Sequence, residues 1–158
     1  MGSSFDEEEF FRAIAGSGAR ALLIGRRALV ALGIPVLTAD YDFWVHPDDA
    51  ARFNFALAPL DLRPSRSPED ARKFGRYVLE NDEHVDVLIA RTISTVDGAL
   101  VAFDGVWERR VHLKMPGGGD VTLPAIDDLI LTKRAGGRPK DAEDIRLLEA
   151  LRREGGER

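Results

Sequence analysis

The sequence predicts an α+β domain with a mixed β-sheet flanked by helices and a pair of helices at its C-terminal end. Three observations support this fold class. Strand-like and helix-like segments follow one another without the regular alternation of βαβ units. Two pairs of strand-like segments are separated only by short turns, as in β-hairpins. After the last strand-like segment, the chain has two segments with helical spacing of apolar residues.

The composition is that of an ordinary globular protein, and it limits the classes of function. The 158 residues, 44% hydrophobic and 31% charged, fit one domain over residues 1–158. The absence of cysteine excludes disulfide frameworks and thiolate metal sites. A net charge of −5 argues against a broad nucleic-acid platform but allows a local basic groove. With no secretion signal and no apolar run near the roughly 20 residues that span a bilayer, we expect a cytoplasmic protein without membrane contact.

Apolar residues repeat every three to four positions in five segments, which are predicted to be helices. These segments are residues 5–15, 26–32, 50–60, 124–135 and 139–153. The first has a capping box, in which Ser4 caps the helix and Glu7 reaches back to it, and Gly16 and Gly18 end it. Pro124 suits the first position of the fourth helix.

Shorter apolar or alternating segments are predicted to be strands. They cover residues 19–24, 38–45, 76–80, 84–89, 106–115 and 120–123. Turns at 81–83 and 117–119 join the last four into two hairpins. Residues 62–74 are predicted to be an exposed loop with one helical turn at 68–73, and residues 98–101 fit either a short helix or a strand.

Asp40 and Asp42 form an acidic pair at the start of the second predicted strand. Residues two apart on a strand share a face, so these carboxylates are expected to lie roughly 7 Å apart and to repel each other. A Mg²⁺ ion would offset the repulsion, because Mg²⁺ usually takes one or two carboxylates together with substrate phosphates. A solvated acidic pair is the other interpretation.

Two further positions have both a structural and a functional interpretation. Gly25 separates the first predicted strand from the next helix, where a glycine lets a ligand approach the backbone and helix amides favour an anion. The structural interpretation is a tight turn from strand to helix, which would also require a glycine. Asp86 lies in mid-strand, on the face opposite Val85 and Val87. Either that face is solvated or the carboxylate belongs to a site.

In this order, the strand–glycine–helix unit, the acidic pair and the later strand acid resemble the nucleotidyltransferase superfamily with the DNA-polymerase-beta-like fold. Within it, the chain is most similar to the small bacterial nucleotidyltransferases of the abortive-infection toxin type. Three pieces carry the resemblance: Ile24-Gly25-Arg26-Arg27-Ala28 through Gly33, Thr38, Asp40 and Asp42; His84-Val85-Asp86-Val87-Leu88; and Leu123-Pro124-Ala125-Ile126-Asp127-Asp128-Leu129 through Lys133, Arg138, Lys140, Asp141 and Asp144. Residues 62–74 match no motif of the family.

The resemblance implies an enzyme that moves a nucleoside monophosphate from an NTP to an acceptor hydroxyl with Mg²⁺ or Mn²⁺. The acceptor would be a tRNA end, a protein side chain or a small molecule, and an antitoxin partner would accompany a toxin–antitoxin role. Asp40, Asp42 and Asp86 would hold the metal and act in catalysis, with Asp86 accepting the proton. Lys133 would be catalytic through its contact with phosphates. The nucleotide-binding residues would be Gly25, Arg26, Thr38, Arg138 and Lys140. Thr38 would bind a phosphate or cap the strand.

Two departures from the family pattern leave the activity open. Arg26 stands where the family usually has a small residue, and Val36 stands where its toxins often have an arginine. Arg26 either supplies phosphate-binding charge from the glycine turn or blocks the triphosphate. In the second case the chain would be a catalytically inactive nucleotidyltransferase-fold module that binds a nucleotide or a protein partner.

The aromatic and imidazole side chains add weaker candidates. Trp44 shares the strand face of the acidic pair, where it would stack on a base or pack in the core. His46, His84 and His112 lack the spacing of metal ligands, so they are expected to be surface or hydrogen-bonded residues.

Overall fold

A mixed five-stranded sheet lies at the centre of the computed structural model, which describes residues 5–156. The strands of this sheet are β1 (Ala21–Ile24), β2 (Tyr41–Val45), β3 (Arg63–Pro64), β4 (Arg76–Glu80) and β5 (His84–Ile89). Their order is β1-β2-β5-β4-β3, in which β2 and β5 are parallel and the other neighbours are antiparallel. Two small two-stranded sheets follow in the chain: β6 (Thr92–Ser94) with β7 (Leu100–Ala102), and β8 (Val111–Lys114) with β9 (Asp120–Leu123).

Helices flank this sheet, and the last two of them are neighbours. The α-helices are α1 (Glu7–Ala15), α2 (Gly25–Ala31), α3 (Ala50–Leu57), α4 (Pro68–Phe74), α5 (Phe103–Glu108), α6 (Ile126–Gly136) and α7 (Pro139–Gly156). The predicted α+β class, with a mixed sheet and a C-terminal helix pair, is therefore confirmed. In the described part of the chain, no helix combines the length and the apolar character needed to cross a membrane.

The two faces of β2 pack against different apolar clusters, because side chains alternate along a strand. Tyr41, Phe43 and Val45 point into the main core, which also takes Val85 and other residues of β5. The opposite face carries Asp42 and Trp44. Trp44 is fully buried in a smaller cluster with Leu22, Phe103 and Val106, and its Nε1 donates to the Ala90 carbonyl at 2.9 Å. Trp44 is thus a core residue, and the base-stacking interpretation is wrong.

The strand register aligns the predicted site residues across the sheet. Asp42 of β2 pairs with Ile24 of β1 on one side and with Asp86 of β5 on the other. Asp86 in turn pairs with Val78 of β4. Since paired residues on neighbouring strands point to the same face, Asp42 and Asp86 lie side by side, and Gly25 begins α2 next to them.

Several predicted boundaries need correction at the chain's first helix and at its acidic pair. α1 is capped by Asp6, whose side chain accepts from the Glu9 amide at 3.1 Å. The predicted cap Ser4 lies outside the described residues. The second strand begins at Tyr41, so Asp40 lies in the coil that precedes it and not within the strand as predicted.

The predicted strand over 106–115 is half wrong. Residues Phe103–Glu108 form α5, and the strand begins only at Val111. Phe103, Val106 and Trp107 recur at helical spacing, and Phe103 and Val106 are buried against the Trp44 cluster. In the stretch predicted as a loop, residues 62–74, the predicted helical turn at 68–73 is confirmed as α4, whereas the short strand β3 was not predicted. This helix α4 is capped by the Ser67 side chain, which accepts from the Asp70 amide.

Candidate active site

Gly25 and Asp42 meet at one wall of a cavity of about 450 Å³. Gly25 has a φ of +71°, in the left-handed region, and a Cβ at this position would collide with the Asp42 carboxylate. Lys133, Arg138 and Asp141, from the C-terminal helix pair and the turn that joins it, line the same cavity. The glycine is therefore needed both for the turn into α2 and for the close approach of Asp42.

Asp42 and Asp86 form a pair of carboxylates whose repulsion is only partly offset. Burial, followed by the charges of Asp86 and Asp40, raises the pKa of Asp42, while Lys133 and Lys140 act in the opposite direction. No residue between 5 and 156 donates a hydrogen bond to the Asp42 side chain. A carboxylate in this setting is a ready ligand for a cation.

The third predicted metal ligand, Asp40, is exposed in the coil before β2. Its negative charge acts on Asp42, yet no three His, Asp or Glu side chains of the described residues come together as a metal-binding group. The two carboxylates Asp42 and Asp86 nevertheless fit Mg²⁺, which usually takes one or two carboxylates plus substrate phosphates. The Thr38 hydroxyl donates to the Asp40 carbonyl at 3.3 Å and so caps the start of the strand.

Lys133 lies at the junction of α6 and α7, with only 6% of its side chain exposed. Its Nζ is 2.7 Å from Oδ2 of the fully buried Asp144 and 3.9 Å from Oδ1 of Asp141. Lys133 therefore lines the cavity, but its ammonium already forms ion pairs with carboxylates of α7.

The Arg26 side chain reaches the last helix, α7. Its Nε donates to Oδ2 of Asp144 at 3.3 Å, its Nη2 lies 3.2 Å from Oδ1 of the same residue, and its Nη1 donates to the Leu37 carbonyl at 3.3 Å. In this structure the Arg26 guanidinium is paired with Asp144 and does not line the cavity that Gly25 lines.

The junction of α6 and α7 contributes two further residues predicted to bind the nucleotide, Arg138 and Lys140. Arg138 lines the cavity and pairs with Asp141 through a 3.0 Å contact from its Nε. Lys140 is exposed, but it lies near enough to Asp42 for its charge to lower the pKa of that carboxyl. Both cations therefore belong to the electrostatic environment of the carboxylate pair.

The structure also brings residues to the site that sequence reasoning left out. The Nε2 of His84 is 3.1 Å from Oδ1 of Asp86, and its Nδ1 is 3.4 Å from Glu80. Burial alone would lower the pKa of His84, but its contacts with Asp86 and Glu80 outweigh burial and raise it. Phe74 and Arg76 line the cavity as well. The spacing of His84 and Asp86, two apart on a strand, was an available signal, whereas Phe74 lies in the stretch without a recognisable motif.

The other two histidines have local structural roles. The Nδ1 of His46 accepts from the Asp48 amide at 3.1 Å, and the Nδ1 of His112 lies 3.0 Å from the Thr122 hydroxyl. Both are hydrogen-bonded residues, as expected from their isolated positions in the sequence.

Comparisons with known proteins agree with this geometry at the level of the fold. No protein-family model and no curated protein matches the sequence. Among solved structures, TM1012 of Thermotoga maritima, a protein assigned as a nucleotidyltransferase, matches with a TM-score of 0.58 and 13% identity, over 95% of this chain and 90% of that one. The chain has the nucleotidyltransferase fold. The antibiotic-resistance factor ANT(2″)-Ia matches with a TM-score of 0.56 and 14% identity, over 92% of this chain and 88% of that one.

The nucleotidyltransferase fold accounts for nearly the whole chain. An alignment over 95% of the residues is too extensive to omit either the sheet or the C-terminal helix pair. The resemblance seen in the sequence is thus confirmed as a shared fold, while the toxin-type subgroup stays a prediction.

Proposed function

We propose that this protein is a Mg²⁺-dependent nucleotidyltransferase that moves a nucleoside monophosphate from an NTP to an acceptor hydroxyl. The observation that carries the proposal is the register of Asp42 with Asp86 on neighbouring strands, next to the Gly25 turn. Asp42 lines a cavity that Lys133 and Arg138 also line, and Asp86 is paired beside Asp42 in the sheet. This set of charges suits a triphosphate bound together with a divalent cation.

In the proposed reaction the acceptor oxygen attacks the α-phosphorus of the NTP. The bond from the α-phosphorus to the bridging oxygen breaks, pyrophosphate leaves, and Asp86 takes the proton of the acceptor hydroxyl. Asp42 and Asp86 would hold Mg²⁺ or Mn²⁺, with Asp40 as the third carboxylate. When bound, such an ion neutralises phosphate charge and lowers the pKa of an attacking hydroxyl.

The positive groups of the cavity would position the triphosphate. Gly25 lets phosphates approach the backbone at the start of α2. Arg138, just before α7, and Lys140, in its first turn, add charge. Thr38 is a further candidate once its hydroxyl leaves the Asp40 carbonyl.

Lys133 and Arg26 would contact the phosphates of the nucleotide only if their ion pairs with Asp144 opened. For Arg26 the substitution Arg26→Gly is decisive. Weaker NTP binding supports recruitment of this guanidinium to the phosphates, and tighter binding contradicts it.

A tRNA end, a protein side chain and a small molecule all remain candidate acceptors. A toxin–antitoxin role with an antitoxin partner, and a cytoplasmic location, belong to the same proposal. They are supported only by the resemblance of the sequence motifs to toxin-type nucleotidyltransferases.

The alternative is an inactive module that binds a nucleotide or a protein partner. One observation favours it: Asp144 already pairs with both Lys133 and Arg26. A module that retained the fold but not the chemistry would have no need to release either of them.

A thermal-shift assay of each NTP with and without Mg²⁺ tests the proposal. Mg²⁺-dependent stabilisation that is lost in Asp42→Asn and kept in Asp82→Asn supports it, because Asp82 is exposed in the β4–β5 turn away from the cavity. Incubation with α-³²P-labelled NTPs and a cell extract then shows whether an acceptor takes the label. Stabilisation without transfer favours the inactive module, and no stabilisation by any NTP contradicts the enzyme.

A further inference from the structure

A second, smaller cavity of about 280 Å³ lies beside Asp86. Ser65, Arg66 and Arg76 line it together with Asp86. We call this cavity the Asp86 groove. Arg76 lines both the groove and the larger cavity, so the two adjoin at this residue.

The carboxylate pair stands between the two cavities. Asp42 lines the larger cavity and Asp86 lines the groove, while the two residues are paired in register on β2 and β5. A group transferred between two substrates must pass between two adjoining sites. If the nucleotide occupies the larger cavity, which Gly25 and Arg138 line, the acceptor would occupy the groove. Its hydroxyl would then lie beside Asp86, the carboxylate proposed to take the proton.

The groove is positively charged through two guanidinium groups without acidic partners. Within residues 5–156, neither Arg66 nor Arg76 has a carboxylate within 4 Å. Arg66 donates one hydrogen bond to the Arg76 carbonyl and lies over the Phe74 ring, 4.6 Å from its centroid. This contact orients the Arg66 guanidinium and leaves its other donors free. Free guanidinium groups bind phosphate oxygens in a bidentate manner.

The charge of the surrounding segment differs in sign from that of the whole chain. Residues 63–76 contain five basic and two acidic residues, whereas the complete chain has a net charge of −5. Phe74, 62% exposed, presents an aromatic ring at the rim of the larger cavity. A positive segment with an exposed ring beside a proton acceptor suits an anionic substrate better than a neutral one.

We propose that the Asp86 groove binds the acceptor, and that this acceptor carries a phosphate near its reactive hydroxyl. This inference rests on the proposed transferase function. Arg66 and Arg76 hold the phosphate and Asp86 receives the proton of the hydroxyl, which then forms its new bond to the α-phosphorus of the NTP as pyrophosphate leaves. The phosphate can belong to a nucleic-acid strand or to a small phosphorylated alcohol.

The test measures acceptor binding in the absence of transfer. The full chain is saturated with Mg²⁺ and an NTP analogue whose α,β-bridging oxygen is replaced by methylene, so that the larger cavity is filled. Uridine 5′-monophosphate, neutral uridine and a labelled short single-stranded RNA serve as probes. We expect the monophosphate to bind about tenfold more tightly than uridine, and Arg66→Gln or Arg76→Gln to remove that difference.

Two further variants separate a specific contact from general charge. Arg63→Gln removes a cation of the same segment that pairs with Asp61 and does not line the groove, so it should change nothing. Arg76→Lys should keep part of the preference. For the RNA probe, each lost phosphate contact should reduce the slope of log affinity against log salt by about 0.7.

Equal affinities for uridine and its monophosphate, or unchanged affinities in both Arg66→Gln and Arg76→Gln, would overturn the inference. RNA binding far tighter than monophosphate binding identifies a strand as the source of the phosphate, and similar affinities identify a small phosphorylated alcohol. Failure of the transferase proposal is seen separately, as the absence of Mg²⁺-dependent stabilisation by NTP without any acceptor.

Discussion

Asp42 and Asp86 occupy paired positions on the parallel strands β2 and β5, and only one of them has a hydrogen-bonding partner. Asp86 lies within hydrogen-bonding distance of His84, whereas no residue between 5 and 156 donates to the Asp42 side chain. Burial and two neighbouring acids make ionised Asp42 unfavourable. The folded chain thus retains repulsion that a bound cation would relieve, which is a common arrangement at functional sites.

Replacing Asp42 should therefore increase stability while removing function. We expect Asp42→Asn to raise the free energy of unfolding by about 1 kcal/mol at neutral pH without Mg²⁺, because a neutral amide removes the repulsion. Urea denaturation measures this effect, and the same variant should lose Mg²⁺-dependent stabilisation by NTP. Asp82→Asn is the control and should alter neither property. A loss of stability in Asp42→Asn would show that Asp42 has a structural partner.

The contact between Gly25 and Asp42 gives a second prediction. We expect Gly25→Ala to destabilise the fold by about 1–2 kcal/mol, because a Cβ is strained at a φ of +71° and collides with Asp42. Displacement of the carboxylate should also abolish NTP binding. Gly33→Ala is a matched control, since Gly33 has a φ of +87° and a Cβ added there would meet no atom within 4 Å. It should lose stability but keep NTP binding, and equal losses of binding would contradict a specific role for Gly25.

A shared site for Asp42 and Asp86 was implied by the resemblance to the family, because strand alternation gives the face of each residue but not which strands are neighbours. The hairpin of β4 and β5 was predicted with its observed bounds, because its alternation of apolar residues is clear in the sequence. The alternation of apolar and polar residues predicts a strand and its faces reliably when one face of that strand is buried. The C-terminal helix pair could also be predicted from the sequence, because the apolar spacing is helical in both segments and Gly137 separates them.

Contacts between segments that are distant in the sequence could not be predicted from such local patterns. Nothing near Arg26 in the sequence indicates that its guanidinium reaches Asp144 in the last helix. α5 was mistaken for a strand because its apolar spacing becomes meaningful only once Trp44 is seen to pack against it. The Asp86 groove combines Arg66 with β4 and β5, so it too exists only after the sheet has formed.

The buried Asp144 gives a third prediction. It contacts both Lys133 of α6 and Arg26 of α2, so it joins three helices through charge. Asp144→Ala should destabilise the protein by about 3 kcal/mol, because it leaves the buried Lys133 ammonium without its closest partner. Thermal and urea unfolding measure the change. Glu143→Ala removes an exposed carboxylate 3.7 Å from Arg26 and should cost far less; similar costs would contradict the central role of Asp144.

The final prediction concerns a pH-dependent contact far from the carboxylate pair. Asp49, at the start of α3, accepts from the Arg20 backbone amide and from its Nε, both at 2.8 Å. Burial alone would raise the pKa of Asp49, but these hydrogen bonds outweigh burial and lower it below its ordinary value of 3.8. A carboxyl whose pKa is lower in the folded state stabilises the fold above its unfolded pKa. That stabilisation is lost as the pH falls through the folded pKa.

Asp49→Asn should therefore lower the free energy of unfolding by about 2 kcal/mol at neutral pH, and by less at acidic pH where the wild-type carboxyl becomes protonated. Urea denaturation of both proteins over this pH range measures the difference. Asp61→Asn is the control, because Asp61 and Arg63 form an exposed pair at 3.1 Å that should contribute under about 0.5 kcal/mol. A difference between wild type and Asp49→Asn that stays constant down to acidic pH would mean that Asp49 stabilises the fold by hydrogen-bond geometry rather than by its charge.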